Sequence, residues 1–330
     1  VVVYMEGKEY IMPMRIGMGN YTSEISSNQY ENPTVMQFRN LEEFLKDYDE
    51  KDGRPDTKWE DLTISHTAYN SLINSSSDKY YSFLSDLKQW AGSSKDNIRI
   101  RDEKTFNEIL KPYIELGEDS IDPIELYAYY LGLYINNMRN GIYLNYILSF
   151  PVTYEKAIRE KMISSFEKGI KKSLPETILN DDEIMKKFKV SFSTSEPAAY
   201  SISGLTEYNI EPSENPVFYG VFDFGGGTTD FDFGIYKESE ERDRRRFDYI
   251  IEHFGAGGDR TLGGENLLEL LSFEFFKKNQ KLLREKGITF TLPVDCIRFK
   301  GSEVLLSNSQ EAKLNTKQLM EKVRPLWEGK

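Results

Sequence analysis

Residues 222–232 read Phe222-Asp223-Phe224-Gly225-Gly226-Gly227-Thr228-Thr229-Asp230-Phe231-Asp232. Three glycines join two stretches of alternating apolar residues, Val217 to Asp223 and Asp230 to Tyr236. Alternation of that kind marks half-buried strands, so a β-hairpin is expected here. Glycine tolerates φ > 0 and lets the backbone approach a ligand closely. Successive backbone N–H groups in such a turn form a concavity for an anion. Asp223 before the glycines and Asp230 after them are placed to face Mg²⁺, directly or through its water shell. Two readings stay open on these residues alone: a turn that cradles phosphate, or a glycine-rich hairpin turn with no ligand.

Four other segments bear on that choice. Ser195-Glu196-Pro197-Ala198-Ala199-Tyr200 lies upstream, and Gly258-Asp259-Arg260-Thr261-Leu262-Gly263-Gly264-Glu265-Asn266 downstream. Further upstream are Ser149-Phe150-Pro151-Val152-Thr153-Tyr154 and Asp86-Leu87-Lys88-Gln89-Trp90-Ala91-Gly92. Together with Val221 to Phe233, these resemble, in order and at similar spacing, motifs of the Hsp70 nucleotide-binding domain in the actin and sugar-kinase superfamily. The hairpin resembles that family's second phosphate loop.

The resemblance implies an α/β chain with the actin-like ATPase (ribonuclease H-like) fold. That fold has two lobes, each with a mixed sheet and flanking helices. Lobe I would span 1–212, with a peripheral subdomain at about 13–115 and a core at about 116–212. Lobe II would span 213–330, with a core hairpin at 213–262 and a peripheral subdomain at 263–330. It further implies ATP or ADP and Mg²⁺ as ligands. Gly225, Gly226 and Gly227 would hold the β- and γ-phosphates, and Thr228 and Thr229 would lie beside them. Asp223 and Asp230 would hold the metal through water. Glu196 and Lys88 match the residues that orient the attacking water and neutralise charge. Asp259, Gly263, Gly264 and Glu265 would lie on the adenosine side, and Arg260 receives no role.

The family pattern is incomplete at both ends. Its first phosphate loop is expected before Val1 and its late adenosine-binding segment after Lys330, so an internal fragment is expected. Thr229 stands where the family usually has an aromatic or aliphatic residue. Residues 287–330 do not align with the adenine-contacting helix, although Glu321-Lys322-Val323-Arg324 is a faint counterpart of its Glu-x-x-Lys pattern.

Composition narrows the functional classes. The net charge of −12 argues against general nucleic-acid binding and against an anionic membrane surface. No run of eighteen apolar residues is present. One cysteine, Cys296, rules out an intrachain disulfide and leans towards a reducing, cytoplasmic setting. Two histidines, His66 and His253, make a zinc site improbable and read as ordinary structural residues.

Along the chain, Val1 to Met12 reads as a strand pair around Glu6-Gly7-Lys8, and 13–60 as polar and loop-rich. Phe83 to Trp90 reads as a short helix. Asp122-Pro123-Ile124-Glu125 reads as N-cap, first helical residue and capping box of a helix reaching about Met138. A strand is expected at 142–150, and a helix at 154–172 with Ile158, Met162, Phe166 and Ile170 as its core stripe. Phe188 to Ser193 reads as a strand, and Pro197 opens a helix with Glu196 at its start. Lys237 to Arg246 reads as a solvated turn and Phe247 to Gly255 as a strand. Gly255-Ala256-Gly257-Gly258 reads as a flexible crossing. Thr261 to Glu285 reads as one long helix with Leu267, Leu268, Leu271, Phe275 and Leu282 towards the core.

Three functions fit this reading. The first is an Hsp70-like ATPase that switches the angle between its lobes. It would act on peptide clients or with co-chaperones through segments outside this chain. The second is an actin-like filament protein, which the Leu262-Gly263-Gly264-Glu265 match disfavours. The third is a nucleotide-dependent scaffold that binds ATP without turning it over.

Overall fold

The computed structural model describes residues 2–5, 11–16, 27–137, 141–213, 215–240 and 247–329. β1 (Val2–Met5) and β2 (Ile11–Met14) pair antiparallel, as expected, while Glu6-Gly7-Lys8 lies outside the described residues. β3 (Met36–Phe38) is followed by α1 (Leu41–Asp49), β4 (Leu62–Ile64), α2 (Ser65–Ile73), β5 (Phe83–Leu84) and α3 (Leu87–Gly92). The three strands form an antiparallel sheet in the order β4-β3-β5. The loop-rich reading of 13–60 is thus corrected by α1, whose Leu41, Phe44 and Tyr48 are buried at helical spacing beneath a charged outer face. The expected helix at Phe83 is also corrected. Phe83 and Leu84 pair with Gln37 and Met36, and the helix starts only at Leu87.

β6 (Ile98–Arg101) and β7 (Asn107–Leu110) form a hairpin that leads to α4 (Pro123–Asn137). Asp122 caps α4 as expected, its Oδ1 accepting from the N–H groups of Ile124 (2.9 Å) and Glu125 (3.2 Å). The capping box is not completed, because the Glu125 carboxylate accepts from the Tyr48 hydroxyl at 2.9 Å instead. The helix is buried almost all round, which makes it the axis of the large core. Met138 lies outside the described residues.

β8 (Asn145–Phe150), α5 (Lys156–Ser173), α6 (Glu176–Leu179), α7 (Asp182–Met185) and β9 (Lys189–Ser195) make a crossover unit. Its two strands are parallel because helices carry the chain back to the starting edge. Ile158, Met162 and Ile170 of α5 are buried, and Phe166 packs at the core margin. α8 (Glu196–Glu207) follows β9 directly, with Pro197 in its first turn.

β10 (Val217–Phe224), β11 (Thr229–Glu238) and β12 (Tyr249–Asp259) form an antiparallel sheet, and α8 packs against it. Residues 241–246 of the charged turn lie outside the described residues. The expected crossing at 255–258 is instead part of β12, paired with Thr229 to Phe233. Its glycines have a packing reason: a Cβ on Gly257 would lie 2.5 Å from the Phe231 ring. Among the described residues each sheet is wholly parallel or wholly antiparallel, so the expected mixed sheet in each lobe is corrected. Short hairpin turns enforce one direction and the helical crossover the other. The architecture is mixed α/β.

The expected long helix is two, α9 (Gly264–Lys278) and α10 (Gln280–Lys286), broken at Asn279, whose side chain donates to the Phe275 carbonyl. Its buried face is Leu268, Ser272, Phe273 and Phe276; Phe275 and Leu282 are exposed. Phe273 and Phe276 pack on Phe290, Leu305 and Leu306. α11 (Gln310–Trp327) lies between two clusters. Leu314 joins Val35, Ala68, Leu72 and Phe83, whereas Met320 and Val323 pack on Leu268.

α4 and α5 approach closely at Gly169, where a Cβ would lie 2.1 Å from the Glu125 carbonyl oxygen and 2.8 Å from the Tyr129 nitrogen. Gly169→Ala is therefore expected to destabilise the protein by about 1–3 kcal/mol. Gly204, inside α8 with open space around it, is expected to gain about 0.5–1 kcal/mol as alanine. Urea unfolding of both variants checks the pair, and a neutral Gly169→Ala would refute the close approach.

Candidate functional site

Four elements bring charged groups to the glycine turn. Asp223 on β10 and Asp230 on β11 are directly opposite in register, so both point to the sheet face that α8 covers. Glu196 opens α8, because Ser195 leaves β9 in extended conformation and Pro197 suits a first turn. Lys88 sits in the first turn of α3, and its Nζ lies 3.1 and 3.3 Å from the two Glu196 carboxylate oxygens. The Tyr154 hydroxyl donates to the Lys88 carbonyl and fixes that helix to the end of the β8 loop.

Asp230 is buried, with its Oδ1 accepting from the Val152 N–H (3.2 Å) and its Oδ2 from the Thr228 hydroxyl (3.1 Å). Burial, opposed by the Thr228 hydrogen bond and reinforced by Glu196, still holds its carboxyl above the usual range. Burial followed by repulsion from Glu196 and Asp230 raises Asp223, with Lys88 opposing. Three carboxylates thus share one ammonium, and the site is short of positive charge.

The turn itself is tightly held. The Gly225 N–H donates to the Thr228 carbonyl at 2.9 Å, so Gly225 closes the turn and its N–H is not free for phosphate. That corrects the expectation for Gly225. Among the described residues, the Gly226 and Gly227 N–H groups have no backbone partner. The carbonyls of Gly225 and Gly226 accept from the N–H groups of Gly264 (2.9 Å) and Glu265 (2.7 Å), at the start of α9. A Cβ on Gly263 would lie 2.5 Å from the Gly226 oxygen, so only glycine lets the two loops meet. Thr229 is buried and donates to the Leu262 carbonyl at 2.6 Å, which makes it a brace for that junction and corrects its expected ligand contact.

A cavity of about 350 Å³ opens beside the turn, between α3 and the Tyr80 segment on one side and α9 and α11 on the other. Gln89, Gly227, Glu265, Asn266, Glu269 and Lys317 are among its lining residues. Asn266 keeps a buried Oδ1 with no partner among the described residues, and burial raises Glu269. Arg324 on α11 holds Glu265 by two hydrogen bonds, 2.6 and 2.8 Å, and also meets Glu321 at 2.7 Å. The faint Glu321-x-x-Arg324 pattern therefore does lie against Glu265. Asp259 does not line this cavity. It accepts from the Thr261 N–H (2.7 Å) and hydroxyl (2.8 Å), which lower its carboxyl.

Arg260 is the residue sequence reasoning missed. Its guanidinium reaches the Gly92 carbonyl at the end of α3 (2.8 Å) and the Thr153 carbonyl beyond β8. It ties the loop after the sheet to both segments that hold Lys88 and Asp230. Only its place between Asp259 and the Leu262-Gly263-Gly264 run hinted at this. At the far side of the cavity Lys317 pairs with Asp86 at 3.1 Å, and Gln318 donates to the carbonyls of Ile73 and Ser75. The histidines are structural as expected. His253 Nδ1 lies 2.7 Å from the buried Asp232 carboxylate, and His66 Nε2 lies 2.8 Å from the Glu31 carbonyl.

Among the described residues no three acidic, histidine or cysteine side chains converge as a direct metal-ligand set. The charge deficit at Asp223, Asp230 and Glu196 nevertheless fits a divalent cation held through water. No helix among the described residues is long and apolar enough to cross a membrane. No protein-family model matches the chain, and no curated protein matches it in sequence.

Because the Asp223 carboxyl is raised, its favourable contribution is complete below the unfolded value of about 4 and is lost as pH rises through the folded value. Asp223→Asn is expected to raise the Tm at pH 7 by about 1–3 °C and to leave it unchanged below about pH 4. Thermal melts across that range decide it, and a lower Tm at pH 7 would show the carboxylate to be stabilising. Arg260→Ala is expected to cost about 1–2 kcal/mol and to speed amide exchange at 88–92 and 151–155. Lysine is not expected to restore protection, because one ammonium cannot reproduce the fork.

Proposed function

We propose that this chain is an Hsp70-like ATP-binding and ATP-hydrolysing domain with an actin-like fold, working as a nucleotide-controlled conformational switch. One observation carries the reading. Lys88, Glu196, Asp223 and Asp230 come from four separate elements and meet beside a three-glycine turn. Asp223 and Asp230 would hold Mg²⁺ through water, and bound Mg²⁺ would supply charge neutralisation at the phosphates. Gly226 and Gly227 would offer N–H groups to the β- and γ-phosphates, with Thr228 beside them. Glu196 would orient a water and accept its proton, while Lys88 would hold Glu196 and offset negative charge. The adenosine would take the cavity beside Glu265. Nucleotide occupancy would set the contacts that Arg260 and α11 make across the cavity. Clients or co-chaperones would then respond to that state, in a cytoplasmic setting.

A second reading is a nucleotide-dependent scaffold. The Lys88–Glu196 ion pair favours it, since it engages the carboxylate that would otherwise orient water.

The test is Mg·ATP binding and turnover by the protein. Asp230→Ala is expected to weaken binding by about tenfold or more. Glu196→Gln is expected to lower kcat by about 100-fold while Kd changes little. Binding without turnover in the natural protein would select the scaffold, and absence of binding would refute both readings.

A further inference from the structure

The glycine turn has more free donors than free acceptors. The carbonyls of Gly225 and Gly226 already take the N–H groups of Gly264 and Glu265, and the Thr228 carbonyl takes that of Gly225. The Thr228 hydroxyl is engaged too, donating to Asp230 at 3.1 Å. Among the described residues, the N–H groups of Gly226 and Gly227 are left without a backbone partner.

Gln89 adds to these donors. Its side chain leaves α3 and covers Gly227, where an added Cβ would lie 2.4 Å from Nε2, 3.5 Å from Cδ and 3.9 Å from Cγ. The amide nitrogen is therefore the part that meets the turn, and the absent side chain of Gly227 makes room for it. An amide nitrogen carries two N–H donors. Among the described residues the Gln89 amide has no hydrogen-bond partner, and it lines the cavity beside the turn.

The cations nearby are engaged by contrast. Lys88 holds Glu196, Lys317 holds Asp86, Arg324 holds Glu265, and Arg260 reaches two backbone carbonyls. A cation at position 89 would be drawn to the same carboxylates. Glu265 is close, since a Cβ on Gly226 would lie 3.9 Å from its Cγ. A neutral amide avoids that capture and keeps its donors for a ligand.

The helix that presents Gln89 is braced at three points. Asp86 before it pairs with Lys317, the Lys88 carbonyl accepts from the Tyr154 hydroxyl, and the Gly92 carbonyl accepts from Arg260. A donor fixed in this way costs little reorganisation when a ligand arrives. Lys88 reaches Glu196, so the next residue, Gln89, approaches the turn from the side where the reacting end of a polyphosphate would lie. Donors without acceptors select a group with acceptors alone, and phosphoryl oxygens are such a group.

We propose that Gln89 reads the terminal phosphate of the nucleotide. Its Nε2 donates to a γ-phosphate oxygen, completes a ring of three donors with the N–H groups of Gly226 and Gly227, and so favours the triphosphate over the diphosphate. The same bond links α3 to the hairpin only in the triphosphate state. This role rests on the nucleotide-binding reading above and names the residue that tells the two states apart.

Isothermal titration with Mg·ADP and with the Mg²⁺ complex of β,γ-methylene ATP, which resists turnover, tests it. Gln89→Met keeps the length and removes the donors, whereas Gln89→Glu keeps the shape and places a negative charge against the phosphate. Gln89 is exposed, so both variants are expected to melt like the unsubstituted protein. Gln89→Met is expected to weaken the analogue by about tenfold and ADP by less than about twofold. Gln89→Glu is expected to weaken the analogue further. Equal loss for the two nucleotides, or loss for neither, would overturn the role of Gln89 while leaving nucleotide binding in place. Failure of the unsubstituted protein to bind either nucleotide would overturn the nucleotide reading and this role with it.

Discussion

The candidate site depends on the hydrogen bonds between the glycine turn and the start of α9. The carbonyls of Gly225 and Gly226 satisfy the N–H groups of Gly264 and Glu265, and Gly263 packs directly on Gly226. Helix N-termini carry unsatisfied donors, and here a turn from another element supplies the acceptors. One junction therefore fixes the hairpin and also the direction in which α9 leaves it. Thr229 reinforces it through the Leu262 carbonyl. Because α9 is oriented there, Glu265 faces Arg324 and the cavity forms beside the turn.

A second set of contacts ties this half of the molecule to the other. Arg260 reaches two backbone carbonyls, Asp230 accepts from Val152, and Lys317 pairs with Asp86. These contacts are polar and most are partly exposed, so each is weak beside the apolar core around α4. Such contacts suit a boundary that rearranges. The raised carboxyls of Asp223 and Asp230 carry the same message: charge is held at a cost in stability, as binding sites commonly require.

Some of this was legible in the residues. The hairpin, the Asp122 cap of α4, the α5 stripe and the start of α8 at Glu196 all follow from local pattern. Local pattern failed where a partner overrode it. The glycines at 255–258 read as a crossing because glycine usually interrupts strands, yet the Phe231 ring occupies the space a Cβ on Gly257 would take, and the Thr229 carbonyl oxygen that of Gly258. Glu125 read as a capping-box residue, but burial against Tyr48 claims its carboxylate. α9 read with Leu268 and Leu271 towards the core, as found, but with Phe275 in place of Phe273 and Phe276, whose packing partners Phe290, Leu305 and Leu306 lie further along the chain.

The sequence by itself determined the hairpin, its three-glycine turn and the aspartates on either side of it, because each follows from a period-two pattern within one segment. Only the tertiary structure decided that Lys88 meets Glu196, that Arg260 spans to Gly92 and Thr153, and that Arg324 holds Glu265. It also showed that Thr229 braces the turn through Leu262. Those outcomes depend on hydrogen-bond partners tens to hundreds of residues apart in the chain, which no local period encodes.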